Sequence, residues 1–101
     1  MIKLLALYKA PKDVAAFMEH YKSVHLPLVA KVPGIVKTEV TQISATIVGE
    51  PGNFLLAEMY FEDEASFDRA MASAENAAAG KDAMALAGDL VTLMKGEVMP
   101  L

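Results

Sequence analysis

The order of secondary-structure elements predicted along the chain is strand, helix, strand, strand, helix, strand. This order indicates an α+β domain with a four-stranded antiparallel sheet that carries its helices on one face. The prediction depends on segments rich in β-branched residues that alternate with segments whose apolar residues recur every three or four positions. The chain has 101 residues with no repeat and no linker, so we expect one domain over residues 1–101.

The first half of the chain predicts a strand, a helix and a second strand. Residues 2–9 form an extended segment with apolar side chains on both faces. Pro27 disfavours helical geometry at the preceding residue and predicts a break or kink near His25. Pro33 and Gly34 stop the helix, and residues 35–48 are typical of a long strand. The helix itself is predicted from apolar or aromatic side chains at helical spacing, namely Val14, Phe17, Met18, Tyr21, His25 and Leu28.

The second half completes the pattern. A turn at residues 49–53 leads into a strand at residues 54–61, which makes a hairpin with the preceding strand. Asp63 is the predicted N-cap of a helix, and Ser73 is the predicted N-cap of an alanine-rich helix that runs to about residue 87. Residues 90–99 predict the last strand.

This element order is that of ferredoxin-like domains, in which the helices leave one sheet face bare. The first and third predicted strands are apolar on both faces, and 54% of all residues are apolar. Soluble monomers rarely expose an apolar patch as large as a bare sheet face of this kind. We therefore expect a homodimer that is joined through the open sheet face.

Composition excludes several function classes. Nine basic and thirteen acidic residues give a net charge of −4 without any basic run, so we expect no nucleic-acid partner. No segment approaches the roughly 20 apolar residues of a membrane helix, so we expect no membrane partner. The absence of cysteine excludes disulfides and thiolate chemistry, and no nucleotide-binding or nucleophile-elbow motif occurs. We expect a cytoplasmic protein without a cofactor.

Both histidines of the chain lie in the stretch HYKSVHLPLVAKVPG, residues 20–34. His25 shares the apolar stripe with Tyr21 and Phe17 and is the strongest candidate for a general acid or base. The alternative is a structural histidine that is bonded to a backbone carbonyl freed by the proline. On an unbroken α-helix His20 lies about 140° from His25, on a more solvated face. The pair lacks the spacing of a zinc-binding helix, so no metal site is predicted.

Two further side chains have alternative roles. Tyr21 either positions a substrate through its hydroxyl or is an amphipathic core tyrosine. Glu58, the single charge in the strand at residues 54–61, either belongs to a pocket or pairs with a lysine at an edge or interface. We take His25 and Tyr21 as candidate catalytic residues, and Phe17, His20 and Glu58 as candidate pocket residues.

The segment FMEHYKSVHLPLVAKVPG, residues 17–34, resembles the opening motif of the EthD family, named for ethyl tert-butyl ether degradation. Residues 57–73 are similar to the family's second block, in which a strand ending in an aromatic residue meets an acidic helix start. The sequence Gly-Asp-Leu at residues 88–90 is similar to a late element that contains an aspartate. The residues that match the opening motif are His20, Tyr21, His25, Pro27, Leu28, Pro33 and Gly34.

The resemblance implies a dimeric α/β barrel, in which two ferredoxin-like sheets pack face to face and each subunit has a pocket between its sheet and its helices. In that setting His25 is the candidate acid or base, with Tyr21 and His20 in support. One hypothesis is a cofactor-independent enzyme that acts on a small hydrophobic carbonyl compound, lactone or aromatic compound. The alternative is a non-catalytic dimer that binds a small hydrophobic molecule or assists a degradation pathway.

Overall fold

The computed structural model describes residues 1–101 and contains a single four-stranded sheet with helices on one face. The strands are ordered β2-β3-β1-β4, and every neighbouring pair is antiparallel. The predicted α+β, ferredoxin-like architecture is confirmed. None of the helices has the length and apolar character needed to cross a membrane. The elements are β1 (Ile2–Lys9), α1 (Val14–His20), a π-helical turn (Tyr21–His25), α2 (Leu26–Val29), β2 (Ile35–Gln42), β3 (Asn53–Phe61), α3 (Glu64–Met71), α4 (Ala74–Ala87) and β4 (Val91–Glu97).

Side-chain caps determine where the helices begin. The carboxylate of Asp63 accepts a hydrogen bond from the backbone N–H of Ser66 at the start of α3. The hydroxyl of Ser73 accepts one from the N–H of Asn76 at the start of α4. Such a cap contributes about 1 kcal/mol because it satisfies a backbone donor that has no partner within the helix. Both predicted N-caps are confirmed.

The strand β2 is shorter than predicted. It ends at Gln42, opposite Leu55 of β3, and the last hairpin hydrogen bond joins the N–H of Ile43 to the carbonyl of Phe54 at 2.7 Å. Beyond this point no neighbouring strand is present, so the β-branched residues lack the pairing that would keep them in a sheet. Ile47 and Val48 are each 91% exposed in the resulting loop. The prediction of a strand to residue 48 is therefore wrong.

The prediction near His25 was a break or kink, and the helix does not break there: α1, the π-helical turn and α2 follow one another without interruption, and the irregularity is the π-helical turn itself. The N–H of Leu26 donates to the carbonyl of Tyr21, a bond over five residues instead of four. Pro27 then lies in the first turn of α2, where a missing N–H costs nothing and the fixed backbone angle suits a helix. The sequence accommodates the proline by widening one turn of the helix.

The core lies between the helices and the sheet face that carries Tyr8 and Leu55. Tyr8, Phe17, Tyr21 and Phe54 form an aromatic cluster with edge-to-face and stacked contacts. Rings in such arrangements stabilise one another beyond the area they bury. The cluster holds the π-helical turn against β1.

The other sheet face has no helix over it. At its centre Leu7 of β1 pairs with Leu56 of β3, and Leu5 pairs with Met94 of β4. Next to these residues the Nζ atom of Lys3 lies 2.7 Å from Glu58 Oε2. We call this surface, defined by Lys3, Leu5, Leu7, Leu56, Glu58, Tyr60 and Met94, the open face.

Candidate functional site

A cavity of about 120 Å³ lies between the sheet and the helical layer. Fifteen residues line it, twelve of which are hydrophobic. The polar groups in its wall come from Tyr8, His25 and Asn76. Leu93 on β4 is the only lining residue that is exposed, at 53%, and it marks the side from which solvent reaches the cavity.

Small residues on opposite walls create this space. Ala6 lies at the middle of β1, and Ala79, Gly80 and Ala83 lie on the helix α4 that crosses above it. Larger side chains at these positions would fill the gap, since protein interiors are otherwise close-packed. An apolar gap lined by a few convergent polar groups is the usual form of a ligand site.

His25 is the histidine of the cavity wall. It ends the π-helical turn and is only 6% exposed, and its Nδ1 atom lies 3.0 Å from Asp82 Oδ2. Because a carboxylate accepts hydrogen bonds, Nδ1 carries the proton and Nε2 keeps its lone pair. Nε2 has no hydrogen-bond partner, and no fully buried side-chain nitrogen or oxygen lacks one. Nε2 is therefore accessible, and it is the nitrogen available to a molecule in the cavity.

Asp82 on α4 joins the two histidines. Its second oxygen, Oδ1, accepts a hydrogen bond from His20 Nε2 at 2.8 Å. Burial opposes ionisation of this carboxyl, but the hydrogen bonds from His20 and His25 outweigh that cost and lower its pKa below the ordinary value. The carboxylate is thus charged at neutral pH. The three side chains do not converge in a way that would hold a metal ion.

Helical phase separates His20 from His25 in an unbroken α-helix, but the structure brings both to Asp82. The π-helical turn explains the difference. In its hydrogen-bond pattern, residues five apart lie close to one another along the helix, so the two imidazoles point to the same neighbour. His20 is the more solvated of the two, as expected, with its side chain 39% exposed against 7% for His25, but both histidines contact the same carboxylate. His20 is not in the cavity wall and contacts it only through Asp82.

Tyr21 and Phe17 lie behind the cavity wall. The Tyr21 ring stacks on the His25 ring with centroids 5.3 Å apart, and on the Phe17 ring at 5.7 Å. Burial raises the pKa of the Tyr21 hydroxyl. Neither residue lines the cavity, so the structure places them as packing partners that orient His25.

Glu58 is remote from the cavity. Strand alternation turns it away from its neighbours Ala57 and Met59 and onto the open face, where it pairs with Lys3 at 2.7 Å. The pocket role considered for Glu58 is therefore wrong, and the lysine pairing considered beside it is observed. Because both faces of β3 are apolar, the sequence pattern alone does not show which face lines the pocket.

Sequence reasoning missed Tyr8 and Asp82. Tyr8 is 1% exposed and lines the cavity, and burial together with the charge of Asp82 raises its pKa to about 12. Tyr8 and Ala6 alternate onto the same, inner side of β1, and this pattern could have indicated that Tyr8 faces the cavity. Asp82 lies three residues after Ala79 and next to Ala83, so a helical projection of α4 places a carboxylate beside the buried stripe.

Comparisons with known proteins support the family resemblance. Residues 9–89 match the family model of the EthD domain. An uncharacterized 11.0 kDa protein in the thcB–thcC intergenic region of Rhodococcus erythropolis is 34% identical over 94 residues, which cover 93% of this chain and 91% of that protein.

Solved structures of other proteins have the same fold as this chain. The crystal structure of an EthD family protein from Bacillus halodurans superposes with a TM-score of 0.93 at 48% identity, covering 98% of this chain and 99% of that one. A protein of unknown function from Thermobifida fusca, described as dimeric and ferredoxin-like, superposes with a TM-score of 0.70. It is 12% identical and covers 96% of this chain and 90% of that chain, so the likeness concerns the fold alone.

Proposed function

The chain belongs to the EthD family, and from this premise we propose that it is an enzyme that moves a proton on a small hydrophobic molecule without a cofactor. The observation that carries the proposal is the environment of His25. Its Nδ1 atom is held by a charged carboxylate, while its Nε2 atom is free at the wall of an apolar cavity.

This arrangement suits general acid–base catalysis. The lone pair of Nε2 accepts a proton from the bound molecule, and the imidazolium that forms is stabilised by the Asp82 carboxylate 3.0 Å from Nδ1. The same nitrogen returns the proton in the second half of the reaction. Apolar walls strengthen this ion pair because they lower the local dielectric constant. His20 acts as a positioning residue because it holds the other oxygen of Asp82.

The dimensions and polarity of the cavity favour a small neutral substrate. A cavity of about 120 Å³ is comparable to apolar cavities of about 150 Å³ that hold benzene. The wall carries no lysine or arginine that would neutralise an anionic substrate. A small carbonyl compound, lactone or aromatic compound fits these limits.

We also propose that the protein functions as a homodimer joined through the open face. Leu5, Leu7 and Leu56 lie at the centre of a sheet surface that no helix covers. Packing two such faces together removes this apolar surface from water at about 25 cal/mol for each Å² buried. The Thermobifida fusca protein of the same fold is described as dimeric, which supports a dimeric state.

Hydrogen exchange tests the proposed chemistry. Incubation with cyclohexanone or δ-valerolactone in D₂O, followed by ¹H NMR, measures replacement of the hydrogens next to the carbonyl by deuterium. We expect the wild type to accelerate exchange and His25→Gln to lose at least about 100-fold of that acceleration while the variant remains folded. Lys22→Gln changes an exposed residue of the same π-helical turn and is expected to leave the rate unaltered.

The outcome separates the two functional hypotheses. Wild-type exchange no faster than in buffer would overturn the enzymatic proposal. Thermal stabilisation by the same compounds without exchange would instead support the alternative, a non-catalytic protein that binds small hydrophobic molecules. An unchanged rate in His25→Gln would remove His25 from the mechanism.

A further inference from the structure

Tyr8 is the one polar side chain that the sheet contributes to the cavity wall, and its surroundings fix its orientation. The ring packs edge-on against Phe17 at 5.6 Å and against Tyr21 at 5.7 Å. It is only 1% exposed, so little movement is open to it. The hydroxyl is therefore held at one point of the cavity wall rather than sampling several directions.

That hydroxyl has no hydrogen-bond partner in the chain. Buried polar groups are nearly always hydrogen-bonded, and no fully buried side-chain oxygen lacks a partner in this protein. The Tyr8 oxygen is therefore accessible, and because the residue lines the cavity, the accessible side is the cavity. Its pKa of about 12 means that the group is a neutral O–H donor at physiological pH.

The other two polar side chains of the wall differ in what they offer to a ligand. His25 offers a lone pair on Nε2, whereas the side-chain amide of Asn76 donates to the sulfur of Met71 at 3.8 Å. The amide oxygen of Asn76 has no partner and is a second acceptor in the wall, whereas the Tyr8 O–H is a free donor. A ligand that satisfies both His25 and Tyr8 needs an acceptor oxygen and an acidic hydrogen on an otherwise apolar frame.

We propose that Tyr8 donates a hydrogen bond to the carbonyl oxygen of the substrate, and that the substrate class is a small ketone or lactone with a hydrogen on the carbon next to the carbonyl. This inference rests on the proposed function and specifies its substrate. His25 Nε2 takes the proton from that carbon, the electrons of the C–H bond form the C=C bond of an enolate, and the carbonyl π electrons move to the oxygen. The Tyr8 O–H stabilises this oxygen, and return of the proton from His25 to carbon restores the balance.

Binding measurements test the donor separately from turnover. Cyclohexanone and methylenecyclohexane have nearly the same shape, but only the ketone accepts a hydrogen bond. Methylenecyclohexane is the more hydrophobic compound and gains more by leaving water, so the donor is measured by the change in relative affinity between variants. Titrations followed by ¹H–¹⁵N NMR give the ratio of ketone affinity to hydrocarbon affinity, which we call the ketone preference. Tyr8→Phe is expected to lower the ketone preference about fivefold, the usual value of one hydrogen bond, by weakening ketone binding, with hydrocarbon binding changed less than about twofold.

Tyr21→Phe is the matched control. Tyr21 is an equally buried tyrosine of the same aromatic cluster, but it does not line the cavity, so its variant keeps the ketone preference. Binding of neither compound by the wild type, or a ketone preference that is unchanged in Tyr8→Phe, would each overturn the inference. If Tyr8→Phe lowers the ketone preference but the wild type shows no hydrogen exchange, the Tyr8 donor is supported and the proposed proton transfer is overturned.

Discussion

The two faces of the sheet differ in whether their polar side chains are hydrogen-bonded to one another. On the open face polar groups pair with one another, as Lys3 does with Glu58 and Tyr60 with Glu39, and they surround a leucine centre. On the helix-facing side the polar groups of the cavity wall leave atoms unpaired, namely the Tyr8 hydroxyl, His25 Nε2 and Asn76 Oδ1. Polar side chains that are hydrogen-bonded to one another beside apolar surface are typical of a protein interface. Polar atoms without a hydrogen-bond partner in a cavity are typical of a ligand site.

Strand alternation makes this contrast sharp. Leu7 and Tyr8 are consecutive in sequence, yet one lies at the centre of the open face and the other lines the cavity. The same separation applies to Glu58 and Met59 on β3. Substitutions at neighbouring positions should therefore change either assembly or ligand chemistry, but not both.

The largest effect is expected from Asp82→Asn. Asparagine keeps the shape of the side chain but removes the charge that stabilises the imidazolium of His25 and one of the two acceptors shared by the histidines. We expect cyclohexanone exchange to fall about 100-fold and the free energy of unfolding to fall by about 1–3 kcal/mol. NMR exchange rates and urea unfolding measure the two effects. Asp89→Asn, at an exposed aspartate just beyond α4, is the control.

The effect of Asp82 on stability should depend on pH. Burial disfavours its charge, but the hydrogen bonds from His20 and His25 outweigh burial and lower its pKa below 3.8. A lowered pKa contributes stability that is present above the unfolded value and is lost as the pH falls through the folded value. The advantage of the wild type over Asp82→Asn is therefore expected in full at pH 6 and should shrink below about pH 4. An advantage that is equal at pH 6 and pH 3 would contradict the ionic role of Asp82.

Much of the fold followed from the sequence because its signals are local. Asp63 and Ser73 cap helices through contacts with residues three positions away, so short stretches of sequence determine where α3 and α4 begin. The end of β2 could not be predicted in this way. It depends on where β3 begins in the pairing register, which is a property of two segments rather than of one.

The candidate site was predictable only in part, for a related reason. The apolar stripe identified His25, but its partner Asp82 is 57 residues away on an alanine-rich helix whose weak apolar pattern hides its inner face. The meeting of His20 with His25 depends on a π-helical turn, and apolar spacing does not encode such a change in hydrogen-bond register. The sequence pattern therefore did not predict the distant partner of His25 or the local change in helical hydrogen-bond register.

Leu7→Glu tests the open face. Leu7 pairs with Leu56 and Thr92, so glutamate at this position places a charge at the centre of the proposed dimer contact. We expect sedimentation velocity at micromolar concentration to show a monomer, while ketone binding changes less than about twofold because the cavity lies on the other face. Lys22→Glu, which also introduces a glutamate but at an exposed helical position, should leave the assembly intact. A wild type that sediments as a monomer would contradict the dimer itself.

Gly80→Ala is expected to have the smallest effect, and it tests whether small residues maintain the cavity. A Cβ at Gly80 meets no atom within 4 Å, so alanine fits without displacing its surroundings. Alanine is the better helix former, and we expect the free energy of unfolding to rise by about 0.5–1 kcal/mol in urea titrations. Because Gly80 lines the cavity, cyclohexanone binding should weaken by a few fold at the same time. Gly88→Ala provides the contrast: its Cβ would lie 2.6 Å from the carbonyl oxygen of Met84, so that variant should be destabilised. Stabilisation of Gly80→Ala with unchanged binding would show that α4 does not limit the space available to the ligand.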